Sequence, residues 1–316
     1  MSKSRPVSET STPFYVLLYH GVYADNDELG LYNSAGKHIA QARFEAQMRH
    51  LSAARPLVSM GTIADALQGD AHLPCGAVAV TFDDGFLNNF TVAWPVLDKY
   101  QIPATIYLAT GFIGTDRRIW TDQLEAVILE TRQTSFTLTA GNETKAYSLA
   151  NAPDRLSALS DIKKMCKKMS EDEKEELVDQ LAARLGLPDG TPHPLDKFMD
   201  WSQVREMDES SLIDFGAHTA DHVSLTRVSR EQMREQIDRS AAAVAENLGK
   251  DCRYFSYPEG QPDDVDANVI DYLRACGFDH APLAVEGTNY LGKTHPFHIA
   301  RCMVGFEKRP YPFAEL

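Results

Sequence analysis

The run Val78-Ala79-Val80-Thr81-Phe82 is apolar and β-branched, and it stops abruptly at Asp83-Asp84-Gly85. An apolar run of this length without polar alternation reads as a strand covered on both faces, as in a parallel sheet flanked by helices. It delivers two carboxylates to the C-terminal end of a buried strand. Successive side chains on a strand point to opposite faces, so the two acids share a task only where the chain bends. Gly85 permits a bend there. One acid could then hold a cation while the other faces a reacting group. The competing reading is that the pair caps the next helix, since Asp is a favoured N-cap. Capping needs only one acid, and on this stretch alone the two readings are evenly matched.

A second stretch tips the balance. Phe215-Gly216-Ala217-His218-Thr219-Ala220-Asp221-His222 follows the apolar segment Leu212-Ile213-Asp214-Phe215. His218 and His222 are four apart, so on a helical turn they share a face. Two imidazoles and one carboxylate make a three-ligand site that leaves positions for water, suited to a divalent metal. With ten histidines in the chain, such a pair also arises by chance on a solvated loop, so it is informative only beside Thr81-Phe82-Asp83-Asp84-Gly85.

Together the two stretches resemble the first two motifs of the polysaccharide deacetylases, carbohydrate esterase family 4, whose common unit is the NodB homology domain. Leu18-Tyr19-His20-Gly21-Val22 and Phe255-Ser256-Tyr257-Pro258-Glu259-Gly260 fit the same pattern, which runs in order from about Tyr15 to about Val304. The resemblance implies an α/β fold, a distorted (β/α)7-type TIM-like barrel, and removal of N-acetyl groups from amino sugars. It implies that Asp83 is the general base. It also implies that Asp84, His218 and His222 hold one divalent ion, Zn²⁺ first, with Co, Ni or Mn as alternatives. By the same resemblance His20 is the general acid, Tyr257 offers its backbone N–H to the oxyanion, and Arg301 orients the base or binds substrate. His298 ranks behind His20 as an acid and stands, with Trp120, as a candidate substrate contact. Trp120 could stack on a sugar ring, although an aromatic at a helix start is more often core. Two departures leave the identity of the acid open: Arg253-Tyr254-Phe255-Ser256-Tyr257-Pro258 replaces the family's Arg-Pro-Pro-Tyr, and no clear Leu-x-Leu-His occurs near the C-terminus.

Composition narrows the partners. A chain of 316 residues with 43% hydrophobic and 24% charged residues is an ordinary globular composition. The net charge of −14 argues against nucleic acid or an anionic membrane surface. The five cysteines are scattered, without CxxC spacing, and read as thiols of a reducing compartment. No apolar run is long enough to span a membrane, and residues 1–13 form a polar tail without an apolar core of signal-peptide length. These features predict a cytoplasmic protein, and the resemblance implies a single deacetylase domain over residues 14–316.

Along the chain, strand-like Phe14–Tyr19 closes at His20-Gly21, and helical spacing covers Arg43–Ala54 and Ile63–Leu67. A helix over Phe90–Tyr100 is expected to be interrupted at Pro95, and Pro103–Ala109 is the next strand. This alternation of strands and helices indicates βα units. The rhythm breaks over about residues 115–199, where a hairpin with a loop at 140–144 precedes two helices near 154–168 and 171–185, ending at Gly186 and Pro188. This hairpin-plus-helices insertion either shapes substrate access or serves packing, including a homo-oligomer contact. Ser229 to Leu248 is a long helix with Gly249 as its stop. The expected substrate is a small-molecule or oligosaccharide N-acyl amino sugar, met in surface-polysaccharide assembly. Hydrolysis of another C–N bond, such as an N-formyl sugar or a cyclic ureide, is the alternative chemistry. A carbohydrate-binding module without catalysis is the alternative class, which the presence of Asp83 disfavours, since a binder needs no base.

Overall fold

The computed structural model describes residues 12–140, 143–187 and 192–306. Most of the expected tail, the centre of the expected hairpin loop (Gly141 and Asn142) and Pro188 lie outside the described residues. The first strand, β1 (Pro13–Tyr19), is followed by the short parallel pair β2 (Gly21–Tyr23) and β3 (His38–Ala40), then by helices α1 (Gln41–Ala54) and α2 (Met60–Gln68). The acid-bearing strand β4 (Ala77–Phe82) is buried at every position, as a strand covered on both faces must be. One π-helical turn at Asn89–Ala93 leads into α3 (Trp94–Tyr100), with Pro95 in its first turn. Proline has no N–H to give, so the expected interruption falls at a helix start, where that donor is not needed. Strand β5 (Ala104–Leu108) follows.

The next elements form a lobe with its own interior. Helix α4 (Trp120–Glu130), the antiparallel hairpin β6 (Ser135–Ala140) and β7 (Glu143–Ser148), and helices α5 (Ala152–Cys166) and α6 (Glu171–Leu185) close over Leu124, Val127, Ile128, Phe136, Leu159 and Leu181. The hairpin strands pair as far as Ala140 with Glu143. Ser170 and Glu173 form a capping box at the start of α6. The Arg155 guanidinium donates to the carbonyls of Ile128, Leu129 and Thr131 at 2.6, 3.2 and 2.9 Å, satisfying the free C-terminal carbonyls of α4. The chain then resumes with α7 (Trp201–Asp208), β8 (Ile213–Ala217), α8 (Arg230–Leu248) and α9 (Ala267–Ala275), and ends in β9 (Asn289–Tyr290) and β10 (Cys302–Met303).

The sheet closes on itself. β10, β1, β4, β5 and β8 lie in that order, all parallel. Parallel single bridges continue the ring from Ala217 to Phe255, from Tyr254 to His280, and from Pro282 to Ile299. Residues 299–303 then return to β1 through Leu17 and Cys302, which makes a (β/α)7-type barrel with seven segments around the ring. The half from 254 onward is held by isolated bridges, which is the distortion of the barrel. Leu17, Val80, Phe82, Ile106 and Phe215 belong to the main core with α1, α3 and α7, each such side chain contributing about 1.5–3 kcal/mol on burial. All parallel strands end on one face, so the residues just after β1, β4, β8 and the 254–256 segment meet there. Among the described residues no helix is long and apolar enough to cross a membrane.

Candidate active site

The expected bend after β4 is present, and it starts one residue earlier than Gly85. Asp84 has φ 74° and Gly85 φ 88°, and the Gly85 N–H donates to the Asp83 carbonyl at 3.0 Å. Left-handed backbone is costly for a residue with a Cβ and persists only where the surroundings hold it. Here the Ala109 N–H donates to the Asp84 carbonyl, and the space beside Gly85 is filled by Leu108, whose Cδ2 would stand 2.7 Å from an added Cβ. The reversal turns both carboxylates into one cavity of about 510 Å³, together with His20, His218, His222 and Tyr257.

The two histidines meet, but not on a helical turn. His218 directly follows β8 and His222 lies in an irregular loop, with Thr219 at φ 60° and His222 at φ 54°. The loop is pinned to the end of β5 by the Thr110 and Gly111 N–H groups, which donate to the carbonyls of Thr219 and Ala220 at 3.2 and 2.7 Å. Tertiary hydrogen bonds to a neighbouring strand end thus bring the pair together, where the four-residue spacing suggested helical periodicity.

Asp84 Oδ1 stands 3.3 Å from His222 Nε2 and 3.6 Å from His218 Nε2. Ligand atoms of Asp84, His218 and His222 all lie within 4.8 Å of one another. The residues fit a divalent cation. Asp84 Oδ1 is buried without a hydrogen-bond donor. His218 Nδ1 lies 2.8 Å from the Ser256 carbonyl, an interaction that places the proton on Nδ1 and leaves Nε2 as a ligand atom. Burial pushes the His218 pKa down to about 4, so the ring is neutral. Burial works against ionised Asp84, yet the neighbouring imidazoles of His222, His20 and His218 hold its carboxyl well below the usual range.

Asp83 sits beside this group and is held differently. Arg301, with no exposed surface, donates from Nη1 to Asp83 Oδ1 at 2.8 Å and from Nη2 to Oδ2 at 2.7 Å. The guanidinium also donates to the Leu283 carbonyl, Ser256 Oγ and Thr81 Oγ1. Burial raises the Asp83 pKa, but Arg301 first and then His218 outweigh it, and the carboxyl stays ionised. Arg301 lies behind Asp83 and does not line the cavity. The geometry is that of an orienting group for the acid.

His20 follows β1, lines the cavity and packs edge-on to Phe306 at 5.4 Å. Burial lowers its pKa, with Asp84 and Asp83 pulling it back up. Tyr257 is buried, and its hydroxyl donates to the Phe297 carbonyl at 3.2 Å, so the residue meets the cavity from a fixed position. Two candidates lie elsewhere. Trp120 lines a neighbouring groove of about 530 Å³ with Arg118, Lys174 and His222, its ring covered by Lys174 Nζ at 4.9 Å. His298 is exposed beside His295 at the end of a short 3-10 turn, outside the cavity. The cavity also takes residues that sequence reasoning passed over. Lys37 and His38 come from the β2–β3 connection and its end, Asp122 and Glu125 from α4, Lys163 from α5 and Lys167 from just past its end, and Asp196 from the segment before α7. No single motif joins them, since they come from four separate parts of the chain; the lobe over residues 120–185 forms one wall of the site.

Comparison with known proteins agrees with this geometry. A family model described as polysaccharide deacetylase matches residues 70–281. YxkH of Bacillus subtilis, a polysaccharide deacetylase by name, is 27% identical over 111 residues, a match spanning 35% of this chain and 37% of that one. Among solved structures, IcaB from Ammonifex degensii superposes with TM-score 0.58 at 22% identity, over 93% of this chain and 92% of that one. A de-N-acetylase from Aggregatibacter actinomycetemcomitans gives TM-score 0.59 at 18% identity, over 94% and 97%. The Streptococcus pyogenes deacetylase PplD, solved with acetate, gives 0.58 at 14%, over 94% and 95%. At these identities the likeness is one of fold.

Proposed function

The chain belongs to the polysaccharide deacetylase family, and from that premise we propose that it is a metal-dependent hydrolase removing an N-acetyl group from an amino sugar. The observation that carries the reading is the pairing of two differently held carboxylates in one cavity. Asp84 faces two imidazoles, and Asp83 is gripped by Arg301. A pure binding module has no use for an ionised acid beside a metal-ligating set.

Asp84, His218 and His222 would hold the divalent ion, with zinc the first expectation from two nitrogens and one oxygen. When bound, the ion supplies Lewis-acid polarisation of the amide carbonyl and a lowered pKa for water. Asp83, ionised and oriented, takes the proton from the attacking water as its oxygen joins the acyl carbon. The Tyr257 N–H donates to the oxygen that gains negative charge. His20 gives a proton to the nitrogen as the C–N bond breaks, so acetate and a free amine leave. A cavity of about 510 Å³ suits one or two sugar rings, which supports a small N-acyl sugar or the end of an oligosaccharide as substrate.

The test couples metal analysis of the purified chain to acetate release from N-acetylated sugars, with and without chelator. One equivalent of metal and chelator-sensitive acetate release is the expected result. Metal without acetate from any sugar would sink the deacetylase reading and direct attention to other C–N bonds.

A further inference from the structure

Three residues of the cavity wall outside the catalytic set each carry a buried side-chain atom with no hydrogen-bond partner among the described residues. They are His38 Nε2, Asp122 Oδ2 and Asp196 Oδ2, on residues exposed by only 3%, 3% and 5%. None belongs to the metal-ligating set, and the hydrolysis derived above uses none of them. Orphaned polar atoms in a buried wall are costly unless a ligand completes them.

His38 is held with care. The Asn33 side chain brackets its backbone, accepting from the His38 N–H at 2.8 Å and donating to its carbonyl at 2.9 Å. Its ring packs edge-on to Phe86 and against Gly21, where an added Cβ would fall 2.0 Å from Nδ1. The ring's tautomer follows from two asparagines. Asn89 Nδ2 donates to the His20 carbonyl at 2.9 Å and to Asn88 Oδ1 at 3.5 Å. That turns the Asn88 amide nitrogen toward His38, where it donates to Nδ1 at 3.0 Å. The proton of the neutral ring therefore sits on Nε2, the unpartnered atom. Burial first, then Lys37, holds the ring neutral.

The carboxyl groups complement it. Asp122 spends Oδ1 on Lys37 Nζ at 2.5 Å and Thr121 Oγ1 at 3.2 Å, leaving Oδ2. The nearest cation to Asp196 Oδ2 in a salt-bridge sense is Arg118 Nε, at 3.8 Å, beyond hydrogen-bond reach. Burial and the Asp122 charge push the Asp196 carboxyl up to about 8, so near neutrality it donates as well as accepts.

We propose that His38, Asp122 and Asp196 form a subsite for the ring hydroxyls of the substrate sugar, with His38 Nε2–H as donor and the carboxyl groups as acceptors. The chemistry selects hydroxyls over the other groups a glycan carries. An ammonium offers no acceptor to the His38 N–H, and a phosphate offers Asp122 only repulsion. A hydroxyl is donor and acceptor at once, and a sugar ring presents several on adjacent carbons. This subsite rests on the reading of the cavity as an amino-sugar site, and it names the recognition that the lobe and the β2–β3 connection add to the barrel.

Calorimetry on the metal-loaded full chain tests it, with methyl N-acetyl-β-glucosaminide and its 3-deoxy, 4-deoxy and 6-deoxy analogues, each lacking one hydroxyl. In the unmodified protein, loss of the engaged hydroxyl weakens binding at least about tenfold. Asp122→Asn, Asp196→Asn and His38→Phe bind the parent sugar at least about tenfold more weakly and no longer distinguish that analogue. Affinities within about twofold across all analogues of the unmodified protein, or no binding of any of them, would overturn the subsite, and neither result depends on a variant that might misfold. Tighter, salt-sensitive binding of the deacetylated glycoside would overturn it in favour of a cation site. Acetate release measured on the same samples separates the two claims. Release without hydroxyl discrimination removes the subsite alone, and discrimination without release removes the deacetylase reading alone.

Discussion

Arg301 and Asp83, 218 residues apart in the chain, meet as a two-pronged ion pair with no water-accessible guanidinium surface. The pair sets the protonation state of the acid next to the metal-ligating group and fixes its two oxygens in direction. It also commits the fold to that charge, because either partner alone would be a buried, uncompensated ion.

Arg301→Met is therefore expected to cost about 3–5 kcal/mol of stability and to raise the Asp83 pKa. Chemical denaturation reads the first effect. The second moves the acidic limb of the pH–rate profile for acetate release to higher pH. Arg301→Lys keeps the charge and loses the fork, so it falls between the two. A denaturation midpoint unchanged in the Met variant would contradict the role given to the pair.

The two adjacent aspartates are expected to fail in different ways. Asp83→Asn should lower kcat by about 10²–10⁴ while leaving metal content near that of the unmodified chain. Asp84→Asn should lose the metal itself. Metal analysis beside turnover separates them, and an Asp83→Asn protein with full turnover would refute the base assignment.

His280 supplies a pH dependence away from the site. Its Nε2 lies 2.9 Å from the Tyr107 hydroxyl, its ring stacks on Tyr254 at 4.9 Å, and burial first, then Arg301 and Arg253, pushes its pKa down to about 3. An unfolded histidine titrates near about 6.5, so below that pH the unfolded chain binds a proton that the folded chain refuses. The His280 contribution is complete above about 6.5 and is lost at about 1.4 kcal/mol per pH unit as pH falls toward 3. Urea midpoints at about pH 7 and about pH 5 should show His280→Gln losing less stability on acidification than the unmodified chain. Parallel losses in both would remove His280 from the account.

Gly21→Ala tests the packing around His38. The new Cβ would stand 2.0 Å from His38 Nδ1 and 2.5 Å from Asn88 Oδ1. Overpacking of this kind costs about 1–3 kcal/mol, readable as a lower thermal midpoint, and it should weaken sugar binding along with it. A variant as stable as the parent would show that the ring can move aside freely.

Much of the barrel could be read along the chain because its evidence is local. The apolar run of β4 and the Ser229 and Gly249 ends of α8 each depend on neighbours a few residues away. The metal-ligating candidates were visible for the same reason: Asp83-Asp84-Gly85 and His218 to His222 are short motifs at strand ends. The helical turn expected for the two histidines is replaced by a loop because Thr219 and His222 adopt left-handed backbone, held by bonds from the end of β5. No spacing within the motif encodes those bonds.

By itself, the sequence determined the alternation of strands and helices and the strand ends that carry its acids and imidazoles, since periodicity and turn chemistry act over short distances, while the barrel followed from the resemblance those motifs carry. Only the tertiary structure decided which residues complete the cavity. Asp122 arrives from α4 and Asp196 from beyond the lobe, His38 is aimed by Asn33 and Asn88, and Arg301, just before the last strand, grips Asp83 from behind the cavity. Trp120 and His298 are turned away from it by the same packing. Ring closure brings together side chains that share no local pattern, and their partners exist only once the strands have found their order.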